Sequence, residues 1–175
     1  MYRKDLATDC GMWGLWDSEA YKSIDNYDKW EPLFVEDEDI QKQVESTSFI
    51  PIYIHSDGVC SFEVKIDGSL SEREKKYICV SSEKYLFHSS GKAYLSGIDN
   101  IGFTFNENEV LELPLAEGYY AVTVHLISWD EEPGAYLENG EISPDALPDF
   151  IVIIESGAAP DGAYRKNIET FDEPQ

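Results

Sequence analysis

The chain has 175 residues, in which 13 Lys and Arg stand against 35 Asp and Glu, so its formal net charge is −22. Apolar residues make up 42% of the sequence and aromatic residues 13%, which is enough for a core and excludes a wholly disordered chain. The charge argues against binding to nucleic acid or to an anionic membrane surface, because both contacts depend on Lys and Arg.

The N-terminal part is predicted to combine one strand with two short helices. Residues 6–17 have the pattern of a strand, in which two glycines indicate a bulge or a close backbone approach. A short helix is predicted over residues 19–24, capped by Asp17 or Ser18. A second helix is predicted over residues 40–45, because four consecutive acids precede it and complement the helix dipole.

From about residue 48 the pattern predicts strands. Residues 49–55 and 59–66 are apolar runs separated by Ser56-Asp57-Gly58, and an Asp-Gly pair between two such runs predicts a β-hairpin. Ser71 and Glu74 have the spacing of a capping box, which predicts a helical turn.

Six further runs are predicted to be strands: residues 77–81, 85–89, 92–96, 109–113, 119–129 and 149–155. The run 119–129 is the longest and is the best candidate for a central strand. The run 149–155 is apolar almost throughout, which fits a strand that is buried on both faces.

These elements predict a mainly β fold, either an antiparallel β-sandwich or a partly open barrel, with two short N-terminal helices. The predicted core includes Phe62, Val64, Tyr120, Val122, Val124, Ile151 and Ile153. We expect a single β-rich domain over residues 1–157 and a polar, flexible tail over residues 158–175. The chain shows no alternation of strands and helices and no phosphate-binding glycine loop, so a nucleotide-binding α/β fold is not expected.

The cysteines indicate the compartment. Cys10, Cys60 and Cys79 are odd in number and widely spaced, which is not the pattern of a disulfide framework. Each lies among apolar or small residues, as buried free thiols do. No apolar run has the length of a transmembrane helix or of a signal peptide. We therefore expect a cytoplasmic protein, with export by a route that needs no leader as the alternative.

No complete catalytic or metal-binding motif is present. His55, His88 and His125 lie in different predicted strands without the spacing of a metal site. The acid clusters have the oxygen ligands that calcium prefers, but none matches an EF-hand loop. Because neither a serine-hydrolase nor a cysteine-protease motif occurs, we expect no enzymatic activity, no cofactor and no resident metal.

The distribution of charge is the most informative feature. From residue 93 to residue 164 the chain has 14 Asp and Glu and no Lys or Arg. Within this stretch, the segment from Asp130 to Pro148, here called the acidic loop, contains three prolines and two glycines. A solvated surface is one interpretation. Since uncompensated like charges repel one another, the other interpretation is a surface that meets a basic partner.

The candidate partner-binding residues follow from this second interpretation. On or beside the acidic loop they are Trp129, Asp130, Glu131, Glu132, Glu138 and Glu141, and a second candidate patch consists of Glu36, Asp37, Glu38 and Asp39. Trp129 is the expected apolar anchor, because aromatic residues beside charges are common in the energetic centres of interfaces.

Three short segments carry a resemblance to a known class. They are Thr8-Asp9-Cys10-Gly11 on the first predicted strand, Ser56-Asp57-Gly58 at the predicted hairpin, and Glu117-Gly118-Tyr119-Tyr120-Ala121-Val122 at the start of the longest strand. In these the chain resembles the small acidic bacterial immunity proteins that are encoded beside polymorphic toxins. The resemblance implies a protein that inhibits a basic toxin, often a nuclease, by covering its active site or a nearby surface.

The sequence therefore predicts an acidic inhibitor that binds a basic protein, such as a toxin, and binds neither nucleic acid nor membrane. The alternative is a β-sandwich module that binds a small molecule or a carbohydrate. In that case Trp13, Trp16 or Trp129 would stack on the ligand.

Overall fold

A computed structural model describes residues 2–169 and residue 171. The described residues form ten strands: β1 (Tyr2–Thr8), β2 (Met12–Asp17), β3 (Phe49–Tyr53), β4 (Gly58–Ile66), β5 (Ile78–Ser81), β6 (Tyr85–Ser89), β7 (Ala93–Gly97), β8 (Leu111–Leu113), β9 (Gly118–Ile127) and β10 (Phe150–Ser156). Their α-helices are α1 (Tyr27–Phe34), α2 (Asp37–Glu45) and α3 (Glu72–Lys76).

The strands form two sheets. The first has the order β1-β4-β10-β9, with β5 and β6 both paired to β9, and the second has the order β3-β2-β7-β8. All pairs are antiparallel except β4 with β10, which is parallel. The prediction of a mainly β, sandwich-like fold with two short N-terminal helices is confirmed, although the first sheet is mixed rather than antiparallel.

The main core lies on the face of the first sheet that carries Val64, Val152 and Val124, which are aligned across β4, β10 and β9. The seven predicted core residues are all buried. Strand β10 is buried on both faces, as predicted: Val152 belongs to the main core, whereas Ile151 and Ile153 belong to a smaller cluster on the opposite face.

The prediction of a single strand over residues 6–17 is wrong, because these residues belong to two strands, β1 and β2, in different sheets. The chain turns between Thr8 and Met12, and Gly11 has a positive φ of 67° there. The Thr8 hydroxyl donates to the Met12 carbonyl at 2.8 Å and accepts from the Cys10 N–H at 3.2 Å, so this side chain holds the turn. Cys10 is exposed at the turn, whereas burial was expected.

The predicted hairpin over residues 49–66 is also wrong. Strand β3 pairs with β2, whereas β4 pairs with β1 and β10, so residues 54–57 cross between the sheets. The Ile54 N–H donates to the Gly11 carbonyl at 3.2 Å, which places this crossing beside the β1–β2 turn. Two connections therefore pass from sheet to sheet at the same corner of the sandwich.

The first helix is displaced from its predicted position. Residues Glu19–Tyr21 form only a 3₁₀ turn, and α1 begins after Asn26, whose side chain accepts from the Lys29 N–H at 3.0 Å. Asp17 is not a cap, because its carboxylate accepts from the N–H and hydroxyl of Ser90. The capping box of Ser71 and Glu74 on α3 is confirmed.

The chain after residue 157 contacts the sandwich. The Arg165 N–H donates to the Lys84 carbonyl at 2.8 Å, and the Tyr85 hydroxyl donates to the Asn167 carbonyl at 2.7 Å. Phe171 is buried against Phe150. The flexibility of this tail stays a prediction, and residues 170 and 172–175 lie outside the described residues. No helix in the described part of the chain is long and apolar enough to cross a membrane.

Candidate partner-binding site

The acidic loop connects β9 to β10 and has a defined backbone structure. The Ser143 N–H donates to the Ala135 carbonyl and the Leu137 N–H donates to the Glu141 carbonyl, both at 2.8 Å. Tyr136 and Ile142 form an antiparallel bridge between these bonds. The loop therefore folds back on itself as a short, bridged protrusion.

Salt bridges and hydrogen bonds attach the acidic loop to the rest of the molecule. Arg73 of α3 donates from Nε to Glu132 Oε2 at 2.7 Å and makes a second bond to the same carboxylate. It also donates to the Asp145 carbonyl at 2.7 Å. The guanidinium holds the pKa of Glu132 below its usual range, and Arg3 donates to the Ala146 carbonyl at 2.9 Å.

Trp129 lies at the base of the acidic loop. Its Nε1 donates to Asp149 Oδ1 at 2.8 Å, and Asp149 Oδ2 accepts from the Ser61 N–H of β4 at 2.7 Å. The indole packs on the outer cluster of the first sheet and lies 5.5 Å, centroid to centroid, from the ring of Tyr136. Trp129 and Glu132 thus hold the loop in its position, in addition to any contact with a partner.

The tip of the acidic loop exposes apolar side chains beside acids. Tyr136 is 50% exposed, Leu137 45% and Ile142 56%. The acids of the loop that are exposed and belong to no ion pair of the described residues include Asp130, Glu131, Glu138 and Glu141. These three apolar residues are not among the candidates predicted from the sequence, although their position within an acidic loop is a signal that could have identified them.

A groove runs between the acidic loop and the first sheet. It has a volume of about 510 Å³ and is lined by Ile142 and Trp129 on one side and by Arg3 and Val59 on the other. Val59 is 66% exposed, the highest value among the large exposed apolar residues. The apolar surface of the loop tip therefore continues onto strand β4.

The second candidate patch lies in a different layer. Glu36 precedes α2, and Asp37, Glu38 and Asp39 form its first turn, where they complement the helix dipole. Asp39 pairs with Lys42 at 2.8 Å, whereas the other three acids are exposed. Helix α2 packs on β3 of the second sheet, so this patch and the acidic loop do not form one continuous cluster.

The structure is also informative about the alternative functions. Trp13 is fully buried and Trp16 is 3% exposed, so the prediction that either could stack on a sugar is wrong. Within residues 2–169 and 171, no three His, Cys, Asp or Glu side chains converge as metal ligands. Ser81 Oγ lies 2.7 Å from His125 Nδ1, and burial lowers the pKa of this histidine.

No family model and no curated protein sequence matches this chain. The fold is similar to two solved structures. One is "Crocagin biosynthetic gene J", with a TM-score of 0.60 and 16% identity over 90% of this chain and 97% of that one. The other is ComJ from Bacillus subtilis, an inhibitor of the DNA degrading activity of NucA, with a TM-score of 0.52 and 10% identity over 90% of this chain and 96% of that one.

Proposed function

We propose that this chain is an immunity-type inhibitor that neutralises a basic protein partner, such as a nuclease toxin, through the acidic loop. The observation that carries the proposal is the exposed apolar tip, Tyr136, Leu137 and Ile142, on an anchored loop whose exposed carboxylates have no cationic partner in the described part of the chain. Exposed apolar groups within a charged rim are typical of protein interfaces.

The acids and the apolar residues of the loop are proposed to affect different rates of binding. Asp130, Glu131, Glu138 and Glu141 attract the basic partner and raise the association rate. Carboxylates can also occupy positions where a nuclease would hold phosphate groups. The apolar tip lowers the dissociation rate, because burial of a few large side chains supplies most of the affinity of an interface.

The similarity of fold supports an inhibitory role, since ComJ is described as an inhibitor of a DNA degrading activity. In this proposal Trp129 and Glu132 act mainly by holding the loop, because their polar groups are already bonded to Asp149 and Arg73. The patch formed by Glu36, Asp37, Glu38 and Asp39 remains a second proposed contact.

The experiment first captures basic proteins from the source cell on the immobilised chain at low salt. A captured nuclease is then purified and assayed for DNA or RNA degradation with and without the chain. Association and dissociation rates are measured by surface plasmon resonance from about 50 to 500 mM salt. We expect inhibition at a one-to-one ratio and an association rate that falls steeply with salt, from about 10⁸ towards about 10⁶ M⁻¹s⁻¹.

Three variants identify the contact surface. The loop charge variant carries Asp130→Asn, Glu131→Gln, Glu138→Gln and Glu141→Gln. The matched control carries Glu107→Gln, Glu109→Gln, Glu112→Gln and Glu117→Gln, four exposed acids outside the loop that remove the same net charge. The tip variant carries Tyr136→Ser, Leu137→Ser and Ile142→Ser.

We expect the loop charge variant to slow association about tenfold more than the control, and the tip variant to accelerate dissociation. Equal slowing in the loop variant and the control would show that only the net charge matters. Inhibition that survives both loop variants unchanged would refute the acidic loop as the inhibitory surface.

A further inference from the structure

A cavity of about 460 Å³ opens between α1, α2 and the corner where the two connections cross between the sheets. Its floor consists of the buried side chains of Met12, Trp30, Phe34, Ile40 and Ile98. The Trp30 indole Nε1 donates to the Ile98 carbonyl at 3.1 Å, so the polar atom of this ring already has a hydrogen-bond partner. The ring therefore contributes apolar surface to the lining of the cavity. The size is within the range of about 300–1,000 Å³ found for ligand sites.

The mouth of the cavity is apolar and exposed. Tyr27 is 50% exposed, Val35 48% and Phe103 43%. The Tyr27 ring stacks on Trp30 with the centroids 5.8 Å apart, so exposed surface continues directly into the buried floor. An occupant that enters the cavity therefore also meets apolar surface outside it.

Acids stand on both rims. Asp37 lines the cavity at the start of α2, and Asp99 lines it near Cys10. The Asp9 N–H donates to Asp99 Oδ1 at 3.4 Å, and a Cβ on Gly11 would lie 3.3 Å from the Ser56 N, so Asp9 and Asp57 lie on segments that meet beside Asp99. Partial burial of the Cys10 thiol, followed by the charges of Asp99, Asp57 and Asp9, raises its pKa to about 11.

The rim carboxylates have hydrogen-bond donors, such as the Thr8 hydroxyl at 3.3 Å from Asp99, but no cationic partner in the described part of the chain. No Lys, Arg or His lines the cavity, and within residues 2–169 and 171 these four aspartates belong to no ion pair. The cavity thus combines an apolar interior with negative charge at two separate places on its edge.

We propose that this cavity receives a large apolar side chain from a basic segment of a protein partner. Lys or Arg residues that flank this side chain would meet Asp37 on one rim and Asp9, Asp57 and Asp99 on the other. Charge complementarity selects this occupant, because lining aspartates on two different elements, Asp37 of α2 and Asp99 after β7, can pair with cations that flank an inserted side chain. The inference rests on the proposed function only in taking the partner to be basic, and it uses a surface other than the acidic loop.

The cavity also gives two of the segments noted in the sequence a common position. Thr8-Asp9-Cys10-Gly11 includes the β1–β2 turn, and Ser56-Asp57-Gly58 includes the end of the crossing beside it. Both bring an aspartate to the Cys10 rim. Sequence alone places these segments almost fifty residues apart, so only the tertiary structure reveals their shared edge.

The test uses the full chain labelled with ¹³C on the methionine methyl groups, because Met12 lies in the cavity floor. The Met12 signal is assigned with Met12→Leu. The probe is the peptide acetyl-Lys-Arg-Phe-Leu-Lys-Arg-amide at low salt. Three comparison probes are an acidic twin with Glu at the four charged positions, a basic twin with Ser at the two apolar positions, and free indole.

We expect the basic apolar peptide to shift the Met12 signal saturably. We expect that neither twin peptide produces this shift. Asp37→Asn with Asp57→Asn should weaken binding of this peptide about three- to tenfold. Glu112→Gln with Glu117→Gln removes the same charge from exposed positions outside the cavity and the acidic loop and should leave the affinity within about twofold. Val35→Ser with Phe103→Ser, both at exposed positions, should abolish the saturable shift.

Several results would overturn the inference. One is a Met12 signal that does not respond to the basic apolar peptide, and another is an equal response to the serine twin, which would show that charge alone matters. Equal weakening by the rim variant and by the variant at Glu112 and Glu117 would show that only the net charge of the chain matters. Indole binding that the peptide cannot displace would assign the cavity to a small molecule. If the peptide binds at Met12 and the acidic-loop variants still inhibit the partner, the role of the acidic loop is refuted but the inference about the cavity is not.

Discussion

The contact between Gly14 and Phe49 allows a quantitative prediction about the second sheet. Gly14 lies in the middle of β2, and a Cβ added there would lie 2.0 Å from Cε2 and 2.7 Å from Cζ of Phe49 on β3. The Phe49 ring is fully buried and packs edge-on against Phe34 of α1 at 5.4 Å. Gly14→Ala therefore forces this ring towards α1.

We expect Gly14→Ala to lower the free energy of unfolding by about 1–3 kcal/mol, the usual cost of overpacking a core. Gly14 does not need a glycine backbone conformation, because its φ is not in the left-handed region. In a Phe49→Ala background, which alone costs about 3–5 kcal/mol, the same change should be neutral or stabilising by up to about 1 kcal/mol. The two substitutions therefore compensate each other.

The double-mutant cycle compares the native chain, Gly14→Ala, Phe49→Ala and the double variant. Urea denaturation monitored by tryptophan fluorescence measures the free energy of unfolding of each. Because Phe34 also lines the cavity beside α1, the Met12 methyl signal should move in Gly14→Ala and return towards its native position in the double variant. An equal cost of Gly14→Ala in both backgrounds would refute the reasoning, since the clash with the Phe49 ring would then not be its cause.

Three further predictions concern local interactions. Ser71→Ala removes half of the capping box of α3 and should lower the free energy of unfolding by about 1 kcal/mol in urea denaturation at pH 7. Glu132→Gln should cost no more than about 1 kcal/mol at pH 7, because Arg73 is half exposed, and should speed amide exchange in the acidic loop. Since the pKa of Glu132 is lowered in the folded chain, the difference from the native protein should vanish as the pH falls through that pKa. Burial lowers the pKa of His125, so native stability should fall as the pH drops below about 6.5, and His125→Asn should flatten this fall. A pH profile unchanged by His125→Asn would assign the fall to other groups.

Local pattern was sufficient to predict most strands and the chemistry of the surface. Short apolar runs located strands β5, β6, β9 and β10 to within two residues, and the run that is apolar almost throughout became β10, which is buried on both faces. The capping box at Ser71 was predicted because both of its partners lie within four residues. The charge of −22 and the cation-free stretch follow directly from composition and do not depend on the fold.

Errors arose where a turn residue has two possible tertiary outcomes. An Asp-Gly pair at residues 57–58 fits a hairpin, but the same positive-φ glycine also lets the chain cross between sheets, and the partners of β3 and β4 decide which occurs. Asp17 had the chemistry of a helix cap, yet Ser90, distant in sequence, takes its carboxylate. The burial of Trp13 and Trp16 also depends on distant residues, because β2 pairs with β7, about eighty residues further along the chain.

The sequence by itself determined the β-rich class, the core residues and the acidic character of residues 93–164. Only the tertiary structure decided which surfaces these charges form. Trp129 packs on the outer cluster of the first sheet and Glu132 pairs with Arg73 of α3 only because these segments meet in the fold, and the cavity floor joins Met12, Trp30 and Ile98 from three separate segments. Local pattern is encoded by neighbours a few residues apart, whereas a site requires side chains that meet only after long-range burial of the core.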